Sequence, residues 1–358
     1  MVAHSSGEIA AGYCAGFLSR ESAWKLAYYR GAIVAPLMRS KQNTGTENFG
    51  TMMSVGLSEA NAQAYLNELK KDFGYAAVVV ACMNSPKNVT LSGNEIQINY
   101  LKARLDNEGI FARKLQVPVA YHSPQMNEVA AEYLACIQEL EHGRLPPGAP
   151  VTIMISSVTG ERVAPGELCN PEYWVKNMVS PVRFSQALSK LCTQSTKDLK
   201  RKVDGSHRNT VQVHDLLEVG PHSTLQGAVR DVLEEIGKDK KTTYNSILVR
   251  NISALQTTME VAGQLHCTGY PLDVAKVNSR GVGDFKSRVV LTDLPEYPFN
   301  HSQSYWHESR FSGTGYRFRK FPRLDLVGTP VWDWNPLEAK WRNIIKVSEI
   351  PWIEDHKV

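Results

Sequence analysis

The sequence predicts an α/β protein of more than one domain, with a largely parallel sheet in its larger part. Three observations carry this. Apolar, strand-like runs such as VTIMIS and HDLLEVG alternate with amphipathic helical stretches, the order that builds parallel sheets. The chain has 358 residues, more than one hydrophobic core usually serves. Near its start, HSSG leads into a run of small residues, the pattern of a tight strand-to-helix turn.

From Ser6 to Ala15 the small residues Gly7, Ala10, Ala11, Gly12 and Ala15 suit a helix lying close on a sheet, and Gly16 ends it. Ser19 is placed to cap a second helix, ESAWKLAYYRGAIVAPLM, with Glu21 in the first turn where the helix dipole favours an acid. Trp24, Leu26, Ala27, Ile33 and Val34 supply its buried face. KQNTGTENFG, residues 41–50, reads as a polar linker.

Residues 50–115 then have their own rhythm. GTMMSVGL is a strand, Ser58 caps the helix EANAQAYLNELKK, and YAAVVVACMN and NVTLSG are strands about a Pro86 turn. The helix NEIQINYLKARLDNEG and the closing strand IFARKLQV complete the order βαββαβ, the ferredoxin-like arrangement. This is expected to be a subdomain inserted into a core formed by residues 1–49 and 116–240. The core resumes with PVAYHSPQM, a helix to about residue 142, the strand VTIMIS, the helical stretch YWVKNMVSPVRFSQALSKL and the strand HDLLEVG before another helix. Residues 241–325 change character. Rich in Gly, Pro, aromatic and Arg residues towards their end, they read as an irregular linker, and residues 326–358 begin something new.

Composition removes several function classes. The chain is 42% hydrophobic and 21% charged, ordinary for a soluble globular protein. Its net charge of +4 comes from Lys and Arg spread along the chain, which argues against nucleic acid as a partner. No apolar run approaches the roughly 20 residues of a membrane span, and no signal-peptide pattern is present. Six scattered cysteines without a CxxC predict neither a disulfide framework nor a metal site, and point to a cytoplasmic location.

The chemistry gathers on AHSSGE, residues 3–8. A serine on a strained turn before a helix is a candidate nucleophile, with the N–H of Ser6 as an oxyanion donor. A serine hydroxyl is a poor nucleophile until a neighbouring base takes its proton.

HSSGEIAAGYCAG, followed by Arg30 in YYRG, resembles the malonyl-CoA:acyl-carrier-protein acyltransferase domain of polyketide synthases. MNSPKNVTLSG, VPVAYHSPQM, YWVKNMVSPVRF and LLEVGPHS resemble further landmarks of that domain in the same order, over roughly residues 1–240. LPEYPFNHSQSYWHESR is similar to the linker that follows it in fungal highly reducing synthases, and NPLEAKWRNIIKVSEIPWIEDHKV to the first strands of their hot-dog dehydratase.

The resemblance implies an α/β-hydrolase-like core, Ser5 as nucleophile, His122 as general base and Arg30 as the grip on a malonyl carboxylate. A guanidinium offers a fork that a lysine lacks. It further implies that a backbone carbonyl orients His122, with EVGPHS (218–223) as the expected supplier. No bound cofactor is implied. The substrate would be malonyl-CoA, the acceptor the phosphopantetheine of an acyl carrier protein, and the partners the ketosynthase and dehydratase domains of the same synthase. VAYH, ending at His122, lies where such enzymes choose between malonyl and branched units.

His356, in DHKV, matches the start of the dehydratase motif HxxxGxxxxP, without the rest of it. Asn84 and Ser85 are candidates for the pocket wall or for packing, His4 for the geometry of the elbow, and His222 for a loop role. Ala3 stands where the family has glycine, and the segment carrying the second oxyanion donor would precede Ser5. The resemblance thus implies a chain truncated at both ends. Two alternatives stay open at this level: a catalytically inactive fragment, and a free-standing esterase, which requires an acidic triad member and no arginine at the carboxylate position.

Overall fold

The computed structural model describes residues 1–43, 50–145, 152–193, 213–278, 292–309, 312–313, 317–331 and 333–356. The chain falls into two compact units, Met1–Ser279 and Arg280–Val358.

In the first unit, α1 (Gly7–Cys14) and α2 (Arg20–Asn43) follow the turn at Ser5. The small residues of α1 are needed: a Cβ on Gly12 would come to 3.0 Å from a methyl of Leu168 and 3.2 Å from one of Leu18. Helix α2 runs through Pro36 and takes in the first three residues of the expected linker. With α5 (Asn127–Cys136) and α6 (Pro171–Val179) these helices enclose Leu18, Leu26, Val34, Met126, Tyr133, Met154 and Trp174, all buried.

Residues 50–115 form a four-stranded antiparallel sheet with two helices. Its strands are β1 (Gly50–Val55), β2 (Val78–Ser85), β3 (Asn88–Asn94) and β4 (Ala112–Lys114), in spatial order β2-β3-β1-β4. Met53 pairs with Leu91 and Val55 with Val89. These face α3 (Glu59–Phe73) and α4 (Glu95–Asn107), burying Leu66, Leu69, Ile98, Leu101 and Leu105. Both helices start on side-chain caps: Ser58 Oγ accepts from Asn61 N–H at 3.2 Å, and Asn94 Oδ1 from Ile96 and Gln97 N–H. Met52, Ala81 and Cys82 point the other way, into a second cluster with Val182, Phe184, Leu188 and Val229. The sheet is therefore buried on both faces.

Several elements differ from expectation, first the largely parallel sheet: among the described residues, parallel pairing is confined to one two-stranded pair and single bridges. The run expected as the strand VTIMIS is extended but makes single bridges only, from Ile155 to Val2 (parallel) and to Arg162 (antiparallel); residue 151 lies outside the described residues. Its apolarity serves burial against helices, since Met154 and Ile155 are fully buried. The helix expected to reach residue 142 stops at Cys136. The helical stretch 173–191 is broken between α6 and α7 (Phe184–Thr193), because Pro181 forces Ser180 into extended backbone with ψ 157°.

β5 (Asp215–Glu218) pairs in parallel with β6 (Thr243–Ser246) across α8 (Gln226–Glu235), a βαβ unit. Its second strand, followed by α9 (Ala254–Cys267) and α10 (Val274–Val277), lies in the stretch expected as linker, so regular structure continues past residue 240.

The second unit is mostly irregular among its described residues. β7 (Thr329–Pro330) and β8 (Trp341–Arg342) pair over two residues each, and Ile344, Ile345 and Val347 stay exposed. Two strands so short bury too little to build an independent sheet. No helix among the described residues is long and apolar enough to cross a membrane.

Candidate active site

Ser5 sits at φ 54°, the left-handed region that costs an L-residue energy, and the turn holds its hydroxyl out of the chain's path. Its Oγ lies 2.6 Å from His122 Nε2. His122 has φ 60°, so both partners occupy the same strained region. The imidazole Nδ1 lies 2.9 Å from the carbonyl oxygen of Ser180. A carbonyl only accepts, so Nδ1 carries the proton and Nε2 presents its lone pair to the serine hydroxyl. The His122 backbone is held as well, its N–H donating to Met178 O at 3.2 Å.

The orienting carbonyl thus comes from Ser180 and not from residues 218–223. The physical reason is the break at Pro181, which leaves that carbonyl outside the helical ladder and free to accept. In the expected supplier loop, Glu218 instead accepts from the N–H groups of Thr224 and Leu225, and His222 Nδ1 accepts from Arg250 N–H.

Burial, reinforced by the Arg30 charge, pushes the His122 imidazole from its ordinary 6.5 down to about 3. The imidazole is therefore neutral at ordinary pH. His4 is also pushed down by burial; its Nε2 meets Asn84 Oδ1 at 2.9 Å and its ring packs on Phe184. Asn84 turns its amide to Asn88 and Thr90, and Ser85 Oγ bonds Asp231 at 2.6 Å. Both act in packing and support, and neither lines the cavity.

A cavity of about 740 Å³ opens in front of Ser5. α1 and α2 supply Ser6, Ala10 and Arg30, while Met52, Cys82, Thr90 and Leu115 come from the inserted sheet and the residue after it. Ser6 N–H has no protein partner among the described residues and lies at the start of α1, where the dipole favours negative charge. Arg30 is buried, forms no ion pair among the described residues, donates to Asn177 Oδ1 at 2.9 Å and lies 5.9 Å from the Tyr121 ring centre.

Beneath the elbow lies a group that sequence reasoning left without a role. Glu8, fully buried, accepts from Ser157 Oγ at 3.1 Å, Tyr173 O–H at 2.8 Å and Asn177 Nδ2 at 2.8 Å, as well as from Ser157 N–H. Burial raises its carboxyl pKa against these bonds. No sequence signal singled it out, since an acid in the first turn of a helix is ordinarily accounted for by the dipole alone. Asn177 lay unremarked inside a quoted landmark. His356 belongs to the second unit and is exposed after the turn Pro351–Asp355.

The Acyl transferase domain model matches residues 1–271. Along its whole length the chain is 42% identical to Highly reducing polyketide synthase 40 of Fusarium mangiferae and 41% identical to Highly reducing polyketide synthase alnA of Emericella nidulans. It spans 14% of the length of each. Among solved structures, the acyltransferase domain from module 8 of the salinomycin polyketide synthase aligns with TM-score 0.60 at 25% identity, covering 76% of this chain and 55% of that one.

Proposed function

Because the chain belongs to the acyl transferase domain family, we propose that it loads a malonyl unit from malonyl-CoA onto Ser5 and passes it to the phosphopantetheine thiol of an acyl carrier protein. Ser5 Oγ attacks the thioester carbon while its proton moves to His122 Nε2, and the oxyanion forms against Ser6 N–H. The C–S bond then breaks, and the same proton goes from His122 to the CoA sulfur. Attack by the carrier thiol repeats these steps in reverse and frees the serine.

The observation that carries this reading is Arg30: a buried guanidinium with no ion-pair partner among the described residues, lining the cavity that holds the Ser5–His122 pair. A buried cation is costly until an anion meets it. An acyl group ending in a carboxylate provides that anion, and an acetyl group does not. The incoming carboxylate would also cancel the part of the His122 depression that Arg30 causes, strengthening the base when the right substrate is bound.

In the same reading, residues 50–115 are a ferredoxin-like subdomain closing one wall of the cleft, which their βαββαβ order and strand order support. Residues 326–358 are the beginning of a dehydratase carrying His356. Ketosynthase and dehydratase domains of the same cytoplasmic synthase are its neighbours in this reading, which is supported by relatives named highly reducing polyketide synthases that are far longer than this chain. The esterase alternative is disfavoured by the Ser180 carbonyl on His122 Nδ1, where a triad carboxylate would sit.

Intact-protein mass after mixing with malonyl-CoA tests the proposal. One malonyl adduct is expected on the parent chain and none on Ser5→Ala, while Arg30→Ala is expected to lose the preference over acetyl-CoA. A folded parent chain that takes no adduct, or an adduct that survives Ser5→Ala, overturns it.

A further inference from the structure

Asn177 touches three of the site's parts at once. Its Oδ1 accepts from Arg30 Nη1 at 2.9 Å, and its Nδ2 donates to Glu8 Oε2 at 2.8 Å and to the Ser5 carbonyl at 3.2 Å. It is buried, and each end of its amide meets groups of the matching kind, so its orientation is settled by its partners. From these contacts we infer that Asn177 is a positioning residue that holds Glu8 and Arg30 apart, keeping the guanidinium open for an acyl carboxylate while tying it to the nucleophile elbow.

Glu8 is a buried carboxylate with Ser157, Tyr173 and Asn177 as partners, and Arg30 is a buried guanidinium within its electrostatic reach. With nothing between them, a buried pair of opposite charges closes into a bidentate salt bridge. The fork of Arg30 would then be spent on the protein itself. An amide between the two gives each charge one hydrogen bond, and with Tyr133 as a second side-chain partner of Arg30 it still leaves guanidinium donors for a ligand. Aspartate in its place would be nearly the same size but would put a carboxylate on Arg30. The segment around Asn177 also serves the base, since Met178 and Ser180 supply the carbonyls that hold the His122 backbone and ring. Three residues of one short stretch thus align nucleophile, base and clamp.

This inference rests on the acyltransferase reading above, and the test separates the two. Loading rates with malonyl-CoA and acetyl-CoA are measured by intact mass on the parent chain, Asn177→Asp and Asn177→Ala, each checked for folding by its circular dichroism and melting curve. Asn177→Asp is expected to lower malonyl loading about tenfold or more beyond any loss in acetyl loading, the size of one charge-assisted contact, since the lost bond to the Ser5 carbonyl affects both substrates alike. Asn177→Ala is expected to raise the malonyl KM, with a smaller effect on kcat, as Glu8 and Arg30 close on one another. Equal losses for both substrates, or loss of the folded state in both variants, overturn the inference by making Asn177 merely structural. A folded parent chain that loads neither substrate overturns the acyltransferase reading itself, and this inference with it.

Discussion

In the inserted unit, α3 and α4 each start on a side-chain cap, β1 and β3 pair residue for residue, and Leu66, Leu69, Ile98, Leu101 and Leu105 of the two helices pack on the sheet around Leu91. Around Ser5 the order is reversed. Two non-glycine residues stand at positive φ, a carboxylate and a guanidinium are buried on either side of Asn177, and burial holds the histidine beside Ser5 neutral. Each positive φ costs on the order of 1–3 kcal/mol. The regular unit lends stability and a wall to the cavity; the strained one holds reactive groups in poses that an unconstrained chain would abandon. Strain and buried charge mark where a fold is committed to chemistry, and regular packing marks what supports it.

Substitutions in the two regions should therefore separate activity from stability. The largest effect is expected from His122→Ala, which removes the proton acceptor 2.6 Å from Ser5 Oγ and should cut the acylation rate by about 10²–10⁴-fold. Far-UV circular dichroism should be unchanged. A loss of less than about tenfold would break the assignment of His122 as general base.

Next comes Leu101→Ala, in the middle of α4 and buried against the sheet. It should cost about 2–5 kcal/mol in denaturant unfolding while the folded fraction still acylates near the parent rate. A rate that falls in step with stability would show that the two regions do not divide the work.

The pH dependence of stability is smaller. His122 is pushed from 6.5 to about 3 in the folded state, so between these values the unfolded chain binds a proton that the folded chain refuses. Stability should then hold above about pH 6.5 and fall as pH is lowered towards 3, by roughly 2 kcal/mol between pH 7 and 5 from this group. His4, also lowered, adds loss of the same sign. Unfolding curves of His122→Gln over this range should be flatter than the parent's; identical curves would show that His122 is not the group responsible.

Asn94→Ala is the mildest. It removes the cap on Ile96 and Gln97 N–H and should cost about 1 kcal/mol with no change in acylation.

Much of the inserted unit was legible because its signals are local. Ser58 before a helical stretch, the Pro86 turn and the alternating apolar residues each specify their own few residues, and the elements lie in the expected order. The positions of Ser5, His122 and Arg30 came from motif resemblance, and they do face one cavity. The poorer expectations were those that depended on distant partners. An apolar run such as VTIMIS says that it will be buried, not whether a strand or a helix will cover it. The division at residue 240 rested on composition and missed that β6 completes a parallel pair with β5.

By itself, then, the amino-acid sequence determined the α/β character, the helices and strands of residues 50–115 and the turn at Ser5, for which side-chain type and spacing are enough. Ser5, His122 and Arg30 were singled out by the family resemblance. Only the tertiary structure decided that Ser180, at a proline break, orients His122, that Glu8 is buried beneath the elbow, and that Asn177 stands between Glu8 and Arg30. The physical reason is that every residue has a carbonyl and many have an amide. Which of them meets a given side chain is fixed by packing between segments far apart in the chain, 58 positions for His122 and Ser180 and 169 for Glu8 and Asn177.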